Sequence, residues 1–527
     1  MPLQRHHQRV DAQPGFQVIR HGPADDLAGG HILDRGQVKP ALVRGNRDCR
    51  ESGGARLEGV FSRPISRFGR GNVAWIVRLV STGPEGKEHS TDVMRITKSD
   101  NLADLANLGL TLAEGKLLLA GLQQEIVAAQ ARLHAVHRPE CRGCGKVCQV
   151  KDYRHHGIAT LFGQVTVRLP RFRCAGCGVT EAGIGWPPHA RSTPELDQLR
   201  AQLSALMTYR TAADLLGQMF PVDAGTDPAT LRRGVFRSAE ALPRETTTRA
   251  ATAAEAIGVT LDSTFIRSCE DGARHLEVRI GNVETTTGER QVFGAVAKTD
   301  TDLGALIQRS LDAVGRTKDT TLTAFTDGCS GLRRILLDAG IDEVPILDWF
   351  HLSMRLQHLT QIAAGLSSDG PERIAAKVVI VEEVERLRWR LWNGKAKDAQ
   401  ISINRTREVM HHFRGEPDGR RSVAPSRKLW TALRALDDYL SGQSDWLVNY
   451  AERHRAGLRV GTALTEGTAN FLVNRRMNKS QQMRWSPGGA DRLLQVRCAV
   501  YNGTFGIGFG QRFQAANDPH SLPAIAA

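Results

Sequence analysis

The sequence lacks any apolar run of about 18 residues, the length that a membrane-spanning helix needs. Its first residues, MPLQRHHQRV, also lack the apolar core of a secretory signal peptide. A chain of 527 residues, 41% of them hydrophobic, is long and apolar enough for about two to four globular domains. We therefore expect a cytoplasmic protein without a membrane partner, and we exclude a disordered or fibrous chain.

Cysteine is sparse, and its number does not suit a disulfide framework. The nine cysteines are an odd number in a long chain that has no signal peptide, and five of them lie between residues 141 and 177. This clustering favours a metal site or a redox site.

Acidic residues are outnumbered by basic ones. The formal net charge is +14 and the pI is about 9.6. Such a charge favours a polyanionic partner, because each Lys or Arg placed at a phosphate releases a condensed counterion. Nucleic acid is the first candidate, although a GC-rich coding sequence also enriches a protein in arginine for reasons unrelated to binding.

The character of the sequence changes near residue 94. Residues 1–93 are rich in Gly, Arg and His and show no sustained helical or strand period, so we expect no folded domain there. They are either a flexible basic arm or upstream DNA read as protein with the true start at Met94, and we favour the second interpretation. Residues 94–136 carry Leu, Ile and Val at helical spacing and are predicted to form a long amphipathic helix.

Two C-x-x-C pairs mark residues 137–190, each on a tight turn that contains glycine. The pairs are Cys141 with Cys144 and Cys174 with Cys177. Four such thiolates complete a tetrahedral site for structural Zn²⁺. The residues between the pairs alternate apolar and polar, which predicts a hairpin that brings the pairs together. We therefore predict a zinc ribbon, with Cys148, His155 and His156 as alternative ligands.

Residues 191–250 show helical spacing in two segments that are separated by Pro, Gly and Asp. Two short helices across a tight turn, the second beginning with polar and basic residues, have the outline of a helix-turn-helix. Thr230, Arg232 and Arg233 are then candidates for reading DNA. Ordinary helix packing explains the pattern about as well.

Three strand-like runs follow residue 251, and then helix, strand, helix and a fifth strand. This order matches the α/β arrangement of ribonuclease-H-like cores. Asp262 lies within the first strand and Asp327 at the end of the fourth, so we expect the two side chains to lie side by side. Asp348 ends the fifth strand.

Asp262 and Asp327 are candidate metal ligands. An unpaired carboxylate inside the apolar run IGVTLD is costly, and a divalent cation compensates for it. Carboxylate oxygens suit Mg²⁺ or Mn²⁺, and two such ions about 4 Å apart activate a water or a 3′-hydroxyl and stabilise the leaving oxygen. The alternative for Asp327, which precedes Gly328, is that it only forms a turn.

The cysteine pairs and four later segments resemble one family of mobile-element proteins. The segments are LDSTF (261–265), FTDGCSGLRR (325–334), LDWFH (347–351) and TEGTANFLVNRRMNKSQQMRWSPGGADRLLQVR (465–497). From about Met94 to near residue 510, the chain resembles the ISKra group of bacterial insertion-sequence transposases. The resemblance implies a DDE triad of Asp262, Asp327 and Glu466 as catalytic residues and ligands of Mg²⁺ or Mn²⁺. It also implies that Asp348 and His351 are accessory residues of a D-x-x-H signature.

The residues after Glu466 show helical spacing, with Glu466 in the first turn, where the helix dipole alone favours an acidic residue. Basic residues and a tryptophan in this tail suit a DNA backbone and a splayed base. These candidate DNA-binding residues are Arg475, Arg476, Lys479 and Trp485. Asp348 and His351 either orient metal ligands or contact DNA, and packing of His351 beside Phe350 is the plain alternative.

Residues 352–455 contain long helical runs and are too many for a simple connection. We therefore expect an all-helical insertion within a core that spans residues 251–510, and residues 511–527 form a tail without pattern. The expected fold class is multidomain α/β: a ribonuclease-H-like catalytic core with a helical insertion, preceded by a zinc ribbon and a helical region.

The expected function is that of an insertion-sequence transposase, which cleaves and joins DNA strands in DNA recombination. Its partners would be double-stranded DNA, at the element ends and the target, and further copies of itself in a homo-oligomer. Two alternatives come from other classes. A ribonuclease-H-like nuclease would share the acids but not join strands, and a zinc-ribbon DNA-binding protein with an inactive core would bind DNA without cutting it.

Overall fold

Three β-sheets and a series of helices form the part of the chain that the structure describes. This computed structural model describes residues 67–68, 72–82, 86, 88–99, 105, 108–181, 183–186, 190–223, 225–242, 252–272, 274–419, 422–461, 467–478 and 483–506. Within those residues, no helix has both the length and the apolar character to cross a membrane. The protein is thus of the mixed α/β class.

The first sheet contains residues that were expected to lack structure. Its strands are antiparallel and follow the order β1 (Arg67–Phe68), β2 (Asn72–Thr82) and β3 (Glu88–Ser99). Val, Ile and Thr recur along β2 and favour a strand. The expectation for residues 1–93 is therefore wrong for β2 and the first half of β3, and residues 1–66 lie outside the described residues. Met94 lies inside β3, paired with Val77, and the start at Met94 stays a prediction.

A long helix, α1 (Leu112–Val136), confirms the helical prediction for most of residues 94–136. It begins with a capping box, in which Thr111 and Glu114 exchange side-chain and backbone hydrogen bonds. Glu114 also accepts from Lys98 of β3 at 2.5 Å, so the helix start is tied to the first sheet. Residues 94–99 belong to β3 instead, where they pair with β2 from Met94 with Val77 to Ser99 with Asn72.

The second sheet is the predicted hairpin. Its strands are β4 (Gln149–Thr160), β5 (Gly163–Arg173) and the short β6 (Thr180–Glu181), all antiparallel. The turn is formed by residues 161–162, where Thr160 accepts from the amide of Phe162 and donates to the carbonyl of Gly163. The inner face of β5 packs against α1 through Val127 and Ala131.

Three helices follow where the sequence predicts two segments. They are α2 (Pro194–Leu206), α3 (Tyr209–Met219) and α4 (Pro228–Glu240). The extra boundary lies at Thr208, whose side chain accepts from the amide of Thr211 and so begins a new helix. Asp227 caps α4 in the same way. The helical prediction for this region is confirmed within the described residues.

The third sheet has five strands in the order β11-β10-β7-β8-β9. They are β7 (Ala256–Arg267), β8 (His275–Thr285), β9 (Arg290–Val296), β10 (Thr321–Thr326) and β11 (Ile346–Leu347). The first three form an antiparallel meander, whereas β10 is parallel to both β7 and β11. The meander and the following alternation agree with the predicted order of elements.

Helices cover both faces of this sheet. Apolar side chains of α5 (Leu303–Ala313) and α6 (Ser330–Asp338) share one core with Ile257, Val259 and Leu261 of β7. On the other face, helical residues 467–478, π-helical over Asn470–Asn478, and the helix α12 (Pro487–Tyr501) pack against β8 and β9. A sheet buried on both sides explains why its strands are almost continuously apolar.

The predicted insertion after β11 is helical throughout its described residues. It comprises α7 (Trp349–Ala364), α8 (Pro371–Trp392), α9 (Ala396–Val409), α10 (Pro425–Ser441) and α11 (Tyr450–Arg455), with 3₁₀ turns at Met410–Phe413 and Ser444–Trp446. Its core of Leu, Ile and Val extends to Phe325 and Ile346 of the sheet. The Tyr450 hydroxyl donates to the carbonyl of Leu347 at 2.7 Å. The insertion is therefore packed directly onto β10 and β11.

Gly281 lies in the middle of the five-stranded sheet, and we predict that it tolerates no side chain. An added Cβ would lie 2.6 Å from Cζ of Phe293 and would collide with the carbonyl oxygen of Thr260. Gly281→Ala should lower the free energy of unfolding by about 1–3 kcal/mol or more. Gly234 in α4 is buried but has open space around it, so Gly234→Ala should raise stability by up to about 1 kcal/mol. Denaturant midpoints measure both, and equal effects would contradict the prediction.

Candidate functional site

The four predicted cysteines meet at one point. Their sulfurs are separated by 3.4 Å (Cys141 to Cys177), 3.5 Å (Cys144 to Cys174), 3.2 Å (Cys144 to Cys177) and 3.6 Å (Cys174 to Cys177). Thiolates about 2.3 Å from a tetrahedral zinc ion are about 3.8 Å from one another. The group is compatible with a zinc ribbon, and its sulfurs are close enough to hold a metal such as Zn²⁺.

Both cysteine pairs use the same backbone turn. The amide of Gly145 donates to the carbonyl of Cys141 at 2.8 Å, and the amide of Gly178 donates to the carbonyl of Cys174 at 3.0 Å. Each glycine has a positive φ, 70° and 71°, a region that favours glycine because other residues are strained there. The C-x-x-C-G spacing thus encodes two matching knuckles whose sulfurs face each other.

The electrostatics of the cluster favour a thiolate. Three hydrogen bonds, from the amide of Cys177, the thiol of Cys144 and the amide of Gly176, lower the pKa of the Cys174 thiol to about 6. The pKa of the Cys177 thiol is raised, first by its hydrogen bonds to Cys144 and Cys141. The close sulfurs therefore cannot all lose their protons easily. A bound cation makes deprotonation of all four favourable, because its positive charge offsets the repulsion among the thiolates.

The alternative ligands lie apart from the cluster. Cys148 is fully buried in a small core with Phe172, and burial raises the pKa of its thiol. His155 pairs with Arg168 and His156 with Val167, well along the hairpin from its cysteine end. None of these three belongs to the metal-competent group.

A second group of polar side chains lies at one end of the five-stranded sheet. Thr326 of β10 is paired with Leu261 of β7, so Asp327 and Asp262 each follow directly on adjacent parallel strands. Asp262 is only 7% exposed. The expected neighbourhood of the two aspartates is consistent with this register.

His351 and Asp348 complete this group, which we call the acidic cluster together with Asp262 and Asp327. The His351 Nε2 lies 3.5 Å from a carboxylate oxygen of Asp262 and 3.6 Å from one of Asp348. Asp348 is fully buried, caps α7 by accepting from the amide of Phe350, and donates its own amide to the carbonyl of Thr326. Packing against Phe350 alone does not explain His351, because its ring nitrogen points at two carboxylates.

The charge state of His351 follows from these neighbours. Burial lowers its pKa, but the hydrogen bond to Asp262 and the charges of Asp262, Asp348 and Asp327 outweigh burial and raise the pKa overall. A protonated imidazole between carboxylates offsets part of their mutual repulsion.

The loop after β10 is supported by the helical insertion. The amide of Cys329 donates to the carboxylate of Asp327, and Gly328 adopts φ 88°. From α10, Tyr439 donates to the carbonyl of Asp327 at 2.8 Å, and the side chain of Gln443 donates to the carbonyl of Gly328 at 2.7 Å. Sequence reasoning missed these two residues, because a contact across more than 100 positions leaves no local pattern.

Within the described residues, no three side chains of the acidic cluster bring their ligand atoms within 4.8 Å of one another. Glu466, the predicted third acid, lies outside the described residues. Within the described part of the chain, the four cysteines form the group whose ligand atoms all lie within 4.8 Å of one another. The sheet thus provides two neighbouring carboxylates with a histidine, and the third carboxylate stays a prediction.

The candidate DNA-binding residues fall into three groups. Arg476 and Trp485 are buried, with Arg476 donating to the carbonyl of Ser204 and Trp485 donating to the carbonyl of Met477. The polar groups of these two residues bond within the core, and their role in DNA binding stays a prediction. Arg232, Arg233 and Arg475 are exposed, and Lys479 lies outside the described residues.

An exposed basic cleft near the acidic cluster was not anticipated. It encloses about 500 Å³ between α7 and α10 and is lined by Arg355, His358, Arg427 and Lys428, among others. Arg355 lies 4.2 Å above the ring of Tyr439, whose hydroxyl contacts the Asp327 carbonyl. Arg355 therefore connects the cleft, through Tyr439, to the loop that carries Asp327.

No family model matches the chain, and no curated protein matches it. The roles of the cysteine and acidic groups therefore rest on their geometry and chemistry.

The cysteine geometry leads to a test of the metal site. Cys174→Ser should reduce bound zinc from about one ion per chain to near zero, because three thiolates leave the tetrahedral site incomplete. Cys148→Ala is the matched control and should retain the metal, since Cys148 lies beside the group and not in it. Elemental analysis of the purified proteins measures both. Loss of zinc in the Cys148 variant, with retention in the Cys174 variant, would overturn the ligand assignment.

Proposed function

We propose that the protein is a DNA transposase of the ISKra type, which cleaves DNA at the ends of an insertion sequence and joins them to a target. The observation that carries the proposal is the acidic cluster: Asp262 and Asp327 follow paired positions on adjacent parallel strands, with His351 beside Asp262. Polynucleotidyl transfer needs carboxylates placed in this way, because they position divalent cations around the reacting phosphate.

The architecture supports a ribonuclease-H-like core. The five strands form a meander of three, and the fourth is parallel to the first, with the helical insertion entering after the fifth. This is the order that the resemblance implies. Asp327 directly follows the end of β10, and Asp262 lies within β7 at the position that continues the pairing of the two strands.

The chemistry of the acidic side chains suits Mg²⁺ or Mn²⁺, because both ions prefer oxygen ligands. Asp262 and Asp327, with Glu466 as the third acid, would hold the ions through carboxylate oxygens. When bound, the metal would polarise the scissile phosphate and lower the pKa of the attacking hydroxyl or water. The four cysteines would hold Zn²⁺, which contributes to folding and not to chemistry, because four protein ligands close its coordination shell.

His351 and Asp348 help to orient the carboxylate of Asp262. The ring of His351 contacts one carboxylate oxygen of Asp262, and the amide of Ser263 donates to the other at 2.7 Å, so the two contacts together orient the carboxylate. One carboxylate oxygen of Asp348 accepts from the amide of Phe350, and the other lies 3.6 Å from the His351 ring nitrogen. Asp348 therefore helps to orient the His351 ring. We assign both as positioning residues.

Basic surfaces around the core supply phosphate contacts. Arg232 and Arg233 are exposed on α4, and Arg475 is exposed on the helix that follows Glu466. The cleft lined by Arg355, Arg427 and Lys428 is connected to the Asp327 loop through Arg355 and Tyr439. Together with the net charge of +14, these surfaces fit double-stranded DNA, with more than one protomer acting on the element ends in the cytoplasm.

The carboxylates provide the direct test. Asp327→Asn should abolish metal-dependent cleavage and joining of DNA that carries the ends bordering the gene, because the amide is a poor ligand for Mg²⁺. Asp312→Asn, on the exposed side of α5, is the matched control and should retain activity. Labelled DNA is resolved on denaturing gels, and a mobility-shift assay reports binding. Cleavage by the Asp327 variant would refute the metal assignment.

The same assay separates the proposal from its two alternatives. Cleavage without joining by the unaltered protein would favour a ribonuclease-H-like nuclease. Binding of the element ends without any cleavage in Mg²⁺ or Mn²⁺ would favour a zinc-ribbon DNA-binding protein with an inactive core. The transposase proposal requires both cleavage and joining.

The positioning role of His351 gives a graded prediction. His351→Gln should lower the rate by about 10–100-fold, the usual cost of losing a partner of a metal ligand. It should also raise the Mg²⁺ concentration needed for half-maximal rate, since Asp262 is less well oriented. His275→Gln, at an exposed end of β8, should change neither quantity. An unchanged metal dependence in the His351 variant would contradict the role.

A further inference from the structure

The helix α1 presents a second apolar side that nothing in the described structure covers. None of its 25 residues is buried, although it is rich in Leu, Ile, Val and Ala. Six of its large apolar side chains are exposed, and four of these lie along one line, with exposed fractions of 62% for Leu112, 39% for Leu119, 43% for Ile126 and 53% for Leu133. A continuous apolar surface of this kind marks a site of association.

These four residues follow one another at intervals of seven. The residues three positions after these four form a second series: Gly115, Leu122, Ala129 and Val136. Apart from Gly115, both series are apolar over the whole helix. Leu105 and Leu108, exposed before the helix begins, continue the same spacing. A sustained seven-residue period with apolar first and fourth positions is the pattern of a two-stranded coiled coil.

The stripe is separate from the face that holds the helix in place. Val127 and Ala131 pack on the cysteine hairpin, and Ala120 faces Gly163 at the start of β5. Ile126 is one residue, or about 100° of rotation, away from Val127. The intramolecular contacts therefore fix α1 and leave the first-position residues of the stripe exposed, while Leu122 and Ala129 in the second series are half-buried.

We propose that this stripe pairs with the same stripe of a second copy of the chain, as a parallel coiled coil. A seven-residue period fits only a partner helix of the same period, and the chain itself supplies one in a symmetric dimer. At 25 residues, α1 provides a seam about 38 Å long.

The flanking charges favour the parallel orientation. In that orientation Glu125 faces the uncharged Gln130 of the partner subunit, so two acidic side chains do not meet. In the antiparallel register that overlaps the whole helix, Glu125 would face the partner's Glu125, and two like charges would lie at the symmetry axis. The proposal does not rest on the proposed function, because it concerns a surface distant from the acidic cluster in sequence and needs no DNA.

The test is the oligomeric state of the full chain with zinc present and without DNA. Light scattering after size exclusion should give a dimer for the unaltered protein. Ile126→Asp and Ile126→Lys place like charges in a central layer, so each should weaken the dimer by at least about 100-fold. Mixing the two variants should restore a dimer, since opposite charges then face each other. Circular dichroism and zinc content verify that both variants fold.

The control is Leu117→Asp on the same helix. Leu117 is 65% exposed, more than Ile126, but lies outside both apolar series. This variant should remain dimeric.

Three outcomes would overturn the proposal. They are a monomeric unaltered protein, equal dissociation of the Leu117 variant, and a dimer that survives both Ile126 variants. Restoration by pairing Ile126→Lys with Leu122→Asp, and not with Ile126→Asp, would overturn the parallel orientation. DNA cleavage assays report separately on the proposed function.

Discussion

The parallel pairing of β7 with β10 is the interaction on which the acidic cluster depends. These strands are more than 50 residues apart in the chain, and the register that pairs Thr326 with Leu261 brings Asp327 next to Asp262. A shift of one residue would turn one carboxylate to the opposite face of the sheet. Helices bury both faces of the sheet, and Gly281 admits the close approach of Thr260 and Phe293 beside Asp262. The core packing therefore fixes the register, and the register places the acids.

The helical insertion takes part in the site and is more than a peripheral addition. Its first helix begins with Asp348 and carries His351 one turn later, so the helix start aims the imidazole at Asp262. Its fourth helix holds the Asp327 loop through Tyr439 and Gln443. The insertion also carries a basic cleft that Arg355 connects to the same loop through Tyr439. Folding of the insertion and geometry of the carboxylates are thus coupled through a shared core that includes Phe325 and Ile346.

The cysteine group is built in a different way, from local turns. Each knuckle is closed by its own backbone hydrogen bonds and a glycine with positive φ, and only the hairpin between them is needed to join the two. The same hairpin supports α1 and leaves the first-position residues of its seven-residue stripe exposed. A metal that stabilises the hairpin would therefore also stabilise the surface on which α1 packs.

The sequence by itself determined the elements whose pattern is local: the two knuckles, the long helix, the meander strands and the helical insertion. It also placed Asp262 and Asp327 on neighbouring strands, because the order of elements limits how such a sheet assembles. It did not determine that Arg476 and Trp485 face the core, since a basic or aromatic residue on a helix has no local signature of the side that becomes buried. Nor did it show the strand in residues 72–82 or the support of Asp327 by Tyr439. Only tertiary packing decided these features, because each depends on contacts between segments far apart in the chain.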